Sequence, residues 1–129
     1  MKEFELKLTV NSSHLDEHLH VNNVTYVHWV QDIARKHWET EATKNILANY
    51  FWVLTSHYIE YKKEAFLNDT IVLKTYVAKH EGAVSVRIVE IFNKKTNALL
   101  VKSETKWCLI DAETKRPTRI TPEISNLFM

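Results

Sequence analysis

The stretch "NNVTYVHWVQDIARKHWETEATK", residues 22–44, decides how the rest of the chain is read. Tyr26, Val27, Val30, Ile33, Ala34, His37 and Trp38 fall at helical spacing and form one broad apolar face. Asn22 or Asn23 is placed to cap its start, and the spacing predicts a helix from Asn23 to about Lys44. A helix of about 20 residues that is mostly apolar on one side has to be buried by something.

Every other apolar segment reads as strand. Lys2–Val10 puts Phe4, Leu6 and Leu8 on one face, with charged residues between them. After the helix, Phe51–Lys62 is aromatic and β-branched, Thr70–Lys79 carries Ile71, Leu73, Thr75 and Val77 on one face, and Val84–Phe92 follows. Ala98–Ile110 alternates cleanly, with Leu99, Val101, Ser103, Thr105, Trp107 and Leu109 set against Lys102, Glu104 and Lys106. Glu81-Gly82 and Asn93–Asn97 are short enough for hairpin turns, which makes their flanking strands antiparallel neighbours. Pro122 is suited to open a short terminal helix. A strand, a long helix and four more strands are most simply satisfied by an α+β fold. In it a curved antiparallel sheet of about five strands wraps the central helix, the hotdog architecture. A single domain over residues 1–129 is expected.

Composition removes several functional classes. Seventeen basic side chains against sixteen acidic ones leave a formal charge of +1, which argues for neither nucleic acid nor a membrane surface as partner. Only one glycine is present, so no glycine-rich phosphate loop of the Rossmann or P-loop kind can be built. Cys108 is the single cysteine, which rules out an internal disulfide and makes a reducing compartment the default. The start, MKEFELKLTV, alternates charged and apolar residues unlike a secretory signal, and no apolar run approaches the roughly 18–20 residues needed to span a bilayer. The expected location is cytoplasmic.

The segment before the helix carries the chemistry. His14, Asp16, Glu17, His18 and His20 place three histidines and two carboxylates within seven positions. Asp16-x-His18-x-His20-Val21-Asn22-Asn23-Val24-x-Tyr26 resembles the acidic, His-Val-Asn-Asn segment of plant acyl-ACP thioesterases. It is more loosely similar to the loop before the helix in 4-hydroxybenzoyl-CoA thioesterase-like enzymes. A second match runs over Ile59-Glu60-Tyr61-Lys62-Lys63-Glu64, followed by Asp69 and the strand Ile71–Thr75.

The resemblance implies a hotdog acyl thioesterase of fatty acid metabolism, acting on acyl-CoA or acyl-ACP as a homodimer or homotetramer, with active sites between protomers. It needs no separate cofactor, because CoA or pantetheine is part of the substrate. Carried over by position, Asp16 falls where the loop carboxylate acts, His20 on the motif's histidine, and His18 on its asparagine. Glu64 matches a carboxylate on the strand after the helix, and the backbone N–H groups of Asn22 and Asn23 stand where the helix start binds the thioester oxygen. Three positions depart from the pattern. Leu19 replaces a glycine frequent in the hydroxybenzoyl-type loop, Asn68 replaces the glycine usual before Asp69, and Ala65 stands where the plant enzymes can have cysteine, which leaves a thiol mechanism without support.

These residue types suit thioester hydrolysis. A thioester carbonyl needs a nucleophile or activated water and a site for the charge that develops on oxygen. A helix N-terminus supplies free N–H donors and the positive end of a dipole. Asp16 or Glu64 can attack directly or deprotonate water, with His20 assisting. The plainer readings are a turn or cap for Asp16, a solvated strand end for Glu64, and an ordinary polar loop residue for His14. His14, Asp16, His18 and His20 would also suit zinc by donor type, but such sites usually recruit a ligand from a distant element, and no metal is expected. Trp29, Trp38, Trp52 and Trp107 read as core, and Cys108 as structural. The competing function from another class is a non-catalytic hotdog that binds an acyl chain or scaffolds an assembly. A hotdog dehydratase lacks its proline- and glycine-rich context here. Lys62, Lys63, Arg116 and Arg119 are basic candidates for CoA phosphates or an acidic carrier protein.

Overall fold

The computed structural model describes residues 2–129. Its elements are β1 (Phe4–Thr9), α1 (Asn23–Glu41), α2 (Lys44–Asn49), β2 (Tyr50–Tyr61), β3 (Thr70–Glu81), β4 (Val84–Asn93), β5 (Leu99–Asp111) and α3 (Pro122–Ser125). The five strands form one antiparallel sheet in the order β1-β3-β4-β5-β2, so the expected α+β arrangement of helix and sheet is present. No helix among the described residues is long and apolar enough to cross a membrane.

The hairpins form where the turn residues place them. Glu81 pairs with Val84 across Gly82-Ala83, and Gly82 takes φ +60° while Ala83 does not, the pattern of a two-residue turn with glycine first. In the second turn Asn93 Oδ1 accepts from the Lys95 and Thr96 N–H groups. Register shifts between Leu54 and Ser56 and between Val77 and Lys79 interrupt two long strands, and such bulges bend a sheet. A bent sheet is what lets five strands close over one helix.

The helix buries Tyr26, Trp29, Val30, Ile33, Ala34, His37 and Trp38. Trp29 takes the place expected of Val27, which is only half-buried. The helix stops at Glu41, short of Lys44, because Ala42 turns extended (ψ 143°) and the Thr43 hydroxyl accepts from the Ile46 N–H to start α2. Against the helix pack Ile71, Leu73, Val89, Ile91, Leu100 and Val101, all sealed from solvent. Full burial of each such side chain contributes roughly 1.5–3 kcal/mol. A second apolar cluster closes the far end of α1 with Trp38, Ile46, Val77, Leu109, Ile120, Ile124 and Phe128.

The two positions where glycine would be usual keep the glycine-like backbone without it. Leu19 has φ +66° and Asn68 φ +70°. Asparagine tolerates that region, but leucine there costs roughly 1–2 kcal/mol. The Leu19 side chain is 69% exposed, so little packing offsets the strain. Leu19→Gly is expected to raise stability by up to about 1 kcal/mol in urea denaturation. Leu19→Val, whose β-branch fits the region worse, should lower it by about 1 kcal/mol.

Candidate active site

The segment before α1 is a tight structure of its own. A 3-10 turn at Ser12–His14 is capped by Asn11, whose N–H donates to His14 Nδ1. The His14 ring packs edge-on to Trp29 with centroids 5.0 Å apart, so this histidine braces the loop against the helix. Asp16 then closes the next turn. Its backbone N–H donates to the His20 carbonyl at 2.8 Å, and its Oδ1 accepts from the His18 and His20 N–H groups at 2.9 and 3.2 Å. Both bonds fall on Oδ1, and Oδ2 has no hydrogen-bond partner among the described residues. Partial desolvation pushes the Asp16 carboxyl up, but the N–H donors of His20 and His18 and the two imidazoles outweigh it, and the group stays below its ordinary range. Asp16 is therefore a carboxylate throughout the neutral range.

The loop is pinned to the chain that leaves β2. The Val21 N–H donates to the Ala65 carbonyl at 3.0 Å, and His20 bridges to Phe66. This pairing brings Glu64 to the loop. His20 Nδ1 lies 3.3 Å from Glu64 Oε1, and the imidazole rests edge-on against Phe66 at 5.2 Å. Ala65 itself is sealed in the core beneath them.

A cleft of about 610 Å³ opens here, lined by Asp16, His20, Asn23, Tyr26 and Glu64 with Tyr61, Lys62, Lys63 and Phe66 around them. Its floor is the start of α1. Asn22 is the cap: its side chain accepts from the Val24 N–H at 2.9 Å. The Asn22 N–H is spent on the His14 carbonyl at 2.9 Å, so the expectation that it faces a substrate oxygen is corrected. The Asn23 N–H has no hydrogen-bond partner among the described residues, and Asn23 is a lining residue of the cleft. One of the two expected donors remains.

His18 is not brought into this arrangement. Its imidazole is 74% exposed beside Glu17, at 3.7 Å, and it is absent from the cleft wall. The histidines of the loop thus go three ways: His14 to Trp29, His18 to solvent, His20 to Glu64. Arg116 and Arg119 do not line the cleft, whereas Lys62 and Lys63 do.

Tyr26 is the residue that sequence reasoning placed only in the core. It is 3% exposed and lines the cleft, with its hydroxyl sealed from solvent beside the Ala65 backbone. Burial is the main reason its pKa is pushed up to about 12, so it is a neutral donor. The signal was its place at the end of the loop motif, three residues into the helix after Asn23.

A five-stranded antiparallel sheet around one long helix, with a loop carboxylate and an open N–H at the helix start, defines the hotdog class. Solved structures agree on the fold. A probable thioesterase from Escherichia coli superposes with a TM-score of 0.86 at 19% identity, covering 95% of this chain and 94% of that one. A 1,4-dihydroxy-2-naphthoyl-CoA thioesterase from Synechocystis gives 0.84 at 13% identity, covering 98% and 95%. The 12:0-ACP thioesterase from Umbellularia californica gives 0.84 at 14% identity, where this chain spans 98% of itself but 51% of that protein. No curated protein matches the chain in sequence. The family match is broader: residues 1–128 fit the acyl-ACP thioesterase N-terminal domain, and the chain belongs to that family. Membership supports thioesterase activity.

Proposed function

We propose that the chain hydrolyses acyl thioesters carried on CoA or on acyl-carrier protein to a free acid and a thiol, with Asp16 as general base. The observation that carries this reading is the shared cleft: Asn23, whose N–H is open, the ionised Asp16 and the His20–Glu64 pair are all among the residues that line it. Asp16 Oδ2 takes a proton from water, and the hydroxide adds to the thioester carbonyl. The oxyanion forms against the Asn23 N–H at the positive end of α1, and the collapsing intermediate breaks the C–S bond. The thiolate leaves readily and takes up a proton, so no strong acid is required. Glu64, held by His20, orients the water. No separate cofactor enters these steps.

Among the similar structures one is named for a CoA thioester and one for an ACP thioester, and Lys62 and Lys63 at the mouth suit the phosphates or acidic carriers of either. Asp16→Asn keeps the size of the side chain and its acceptor oxygen but removes the base. Hydrolysis of acyl-CoA substrates, followed by thiol release, should fall by about 10²-fold or more with unchanged unfolding midpoint. Retained turnover would move the base to Glu64, where Glu64→Gln should then carry the loss.

The same reading includes assembly as a homodimer or homotetramer. β2 is an edge strand with an unpaired backbone side, and Phe51, Val53, Tyr58 and Tyr61 are exposed along it. Leu19, Val24, Phe66 and Leu67 add exposed apolar surface around the loop and cleft. Light scattering at micromolar concentration should give at least twice the 15.2 kDa chain mass. A monomer there would remove the assembly.

A further inference from the structure

Away from the cleft, the structure holds a charged group whose partner is missing. Arg87 on β4 is 5% exposed and is the one charged side chain among the buried polar residues described. No Asp or Glu of the described residues lies within ion-pair distance of it. Its Nη1 donates to His37 Nδ1 at 2.9 Å and to Thr75 Oγ1 at 3.0 Å. His37 can accept because burial, with Arg87 beside it, lowers its pKa to about 4 and keeps it neutral. A guanidinium has five N–H donors, and these two bonds use only the Nη1 pair. Nε and Nη2 have no partner among the described residues, and neither is among the polar atoms sealed from solvent there.

Arg87 borders a second cavity, of about 320 Å³, lined by residues of α1 and of the sheet. Arg87, Ser85, Gln31 and Arg35 supply its polar wall, and aromatic rings, Trp38 and Trp52 among them, most of the rest. It shares no lining residue with the cleft that holds Asp16 and Glu64. Trp38 stands edge-on to Trp52 at 5.6 Å, and Phe128 lies under the guanidinium with its centroid 5.4 Å from Cζ. Such walls favour a flat body, and the Nε–Nη2 edge presents two parallel donors that one planar carboxylate spans. Arg35 also lines the cavity, but its side chain is 59% exposed and faces Asp32 and Glu39 at 3.0 and 3.6 Å, so Arg87 is the buried cation of the wall.

We propose that this cavity is a second ligand site that takes a small aromatic carboxylate, its anionic head on the Nε–Nη2 edge of Arg87 and its ring among the tryptophans. The inference does not depend on thioester hydrolysis. It is tested on the full chain by calorimetric titration with 3-phenylpropanoate and, separately, its neutral amide. The carboxylate should bind saturably, and the amide about 10- to 100-fold more weakly, the usual worth of a hydrogen bond to a charged group. Arg87→Gln should weaken carboxylate binding by the same factor. Because that variant changes a buried group, Ala34→Leu, which adds volume to the helix wall of the cavity and leaves Arg87 in place, should abolish binding while the near-UV dichroism of the fold persists. Asp16→Asn should bind the carboxylate as the parent does. Equal binding of acid and amide, loss of binding in Asp16→Asn, or no saturable binding at millimolar concentration would each overturn the proposal. The last result is the one expected if a carboxylate or backbone of a second copy fills the cavity.

Discussion

Burying one face of the nineteen-residue α1 is the constraint on which the rest of the structure depends. A single sheet can cover that face only by curling, and the bulges in β2 and β3 supply the bend. Curling has two consequences at the helix ends. At the start, the sheet stops short, and the gap is closed by the loop at residues 15–21, held by the bond from Val21 N–H to the Ala65 carbonyl. At the far end, the wrap tightens around a second apolar cluster, and β4 carries Arg87 underneath the helix.

The same architecture explains why the two polar groups at these ends behave oppositely. Asp16 sits in a half-buried loop with two N–H donors on one oxygen, which favours the charged carboxylate and keeps a second oxygen exposed for chemistry. Arg87 sits where desolvation opposes charge, and burial lowers its pKa to about 10. It still remains a cation in the neutral range, and its protein partners, His37 and Thr75, are neutral. A buried cation with neutral partners leaves an excess of positive potential in an apolar cavity, which selects for an anion. Arg87 also joins a polar seam, since Thr105 Oγ1 donates to its carbonyl and accepts from Trp107 Nε1.

How much of this was legible varied with the range of the interactions involved. The helix, the strands, the faces of three of them and both hairpin turns are written in local periodicity, and they appear within a few residues of expectation. Strand order is not local. β2 skips β3 to pair with β5 at the sheet edge, and nothing in Tyr50–Tyr61 distinguishes those neighbours. In the site, the proximity of His20 and Glu64 follows from the pairing of two segments distant in sequence, for which the motif resemblance stood in. The choice between Asn22 and Asn23 turns on a single bond to the His14 carbonyl, which no local pattern reveals. Arg87 was different: it shares the alternation phase of Val89 and Ile91, both fully buried, so its inward direction could be read from the strand. An arginine on an inward phase asks for a partner, and the chain supplies no carboxylate.

The helix thereby separates two tasks that a small fold could otherwise bring into conflict. A hydrolytic site needs open N–H donors and an ionised base near water, and in the proposed reading the unpaired helix start and the exposed loop provide them. A recognition site for an anion gains most from a rigid donor in apolar surroundings, which is what Arg87 has among Trp38, Trp52 and Phe128. Between them, Tyr26, Val30, Ile33 and Ala34 lie along the buried face of the same rigid helix, and the described structure has no hinge in that stretch. Occupation of one end would reach the other only by shifting α1 against the sheet, a movement that a core sealed by Ile71, Leu73, Val89 and Ile91 resists. The physical expectation from such packing is two sites that bind independently.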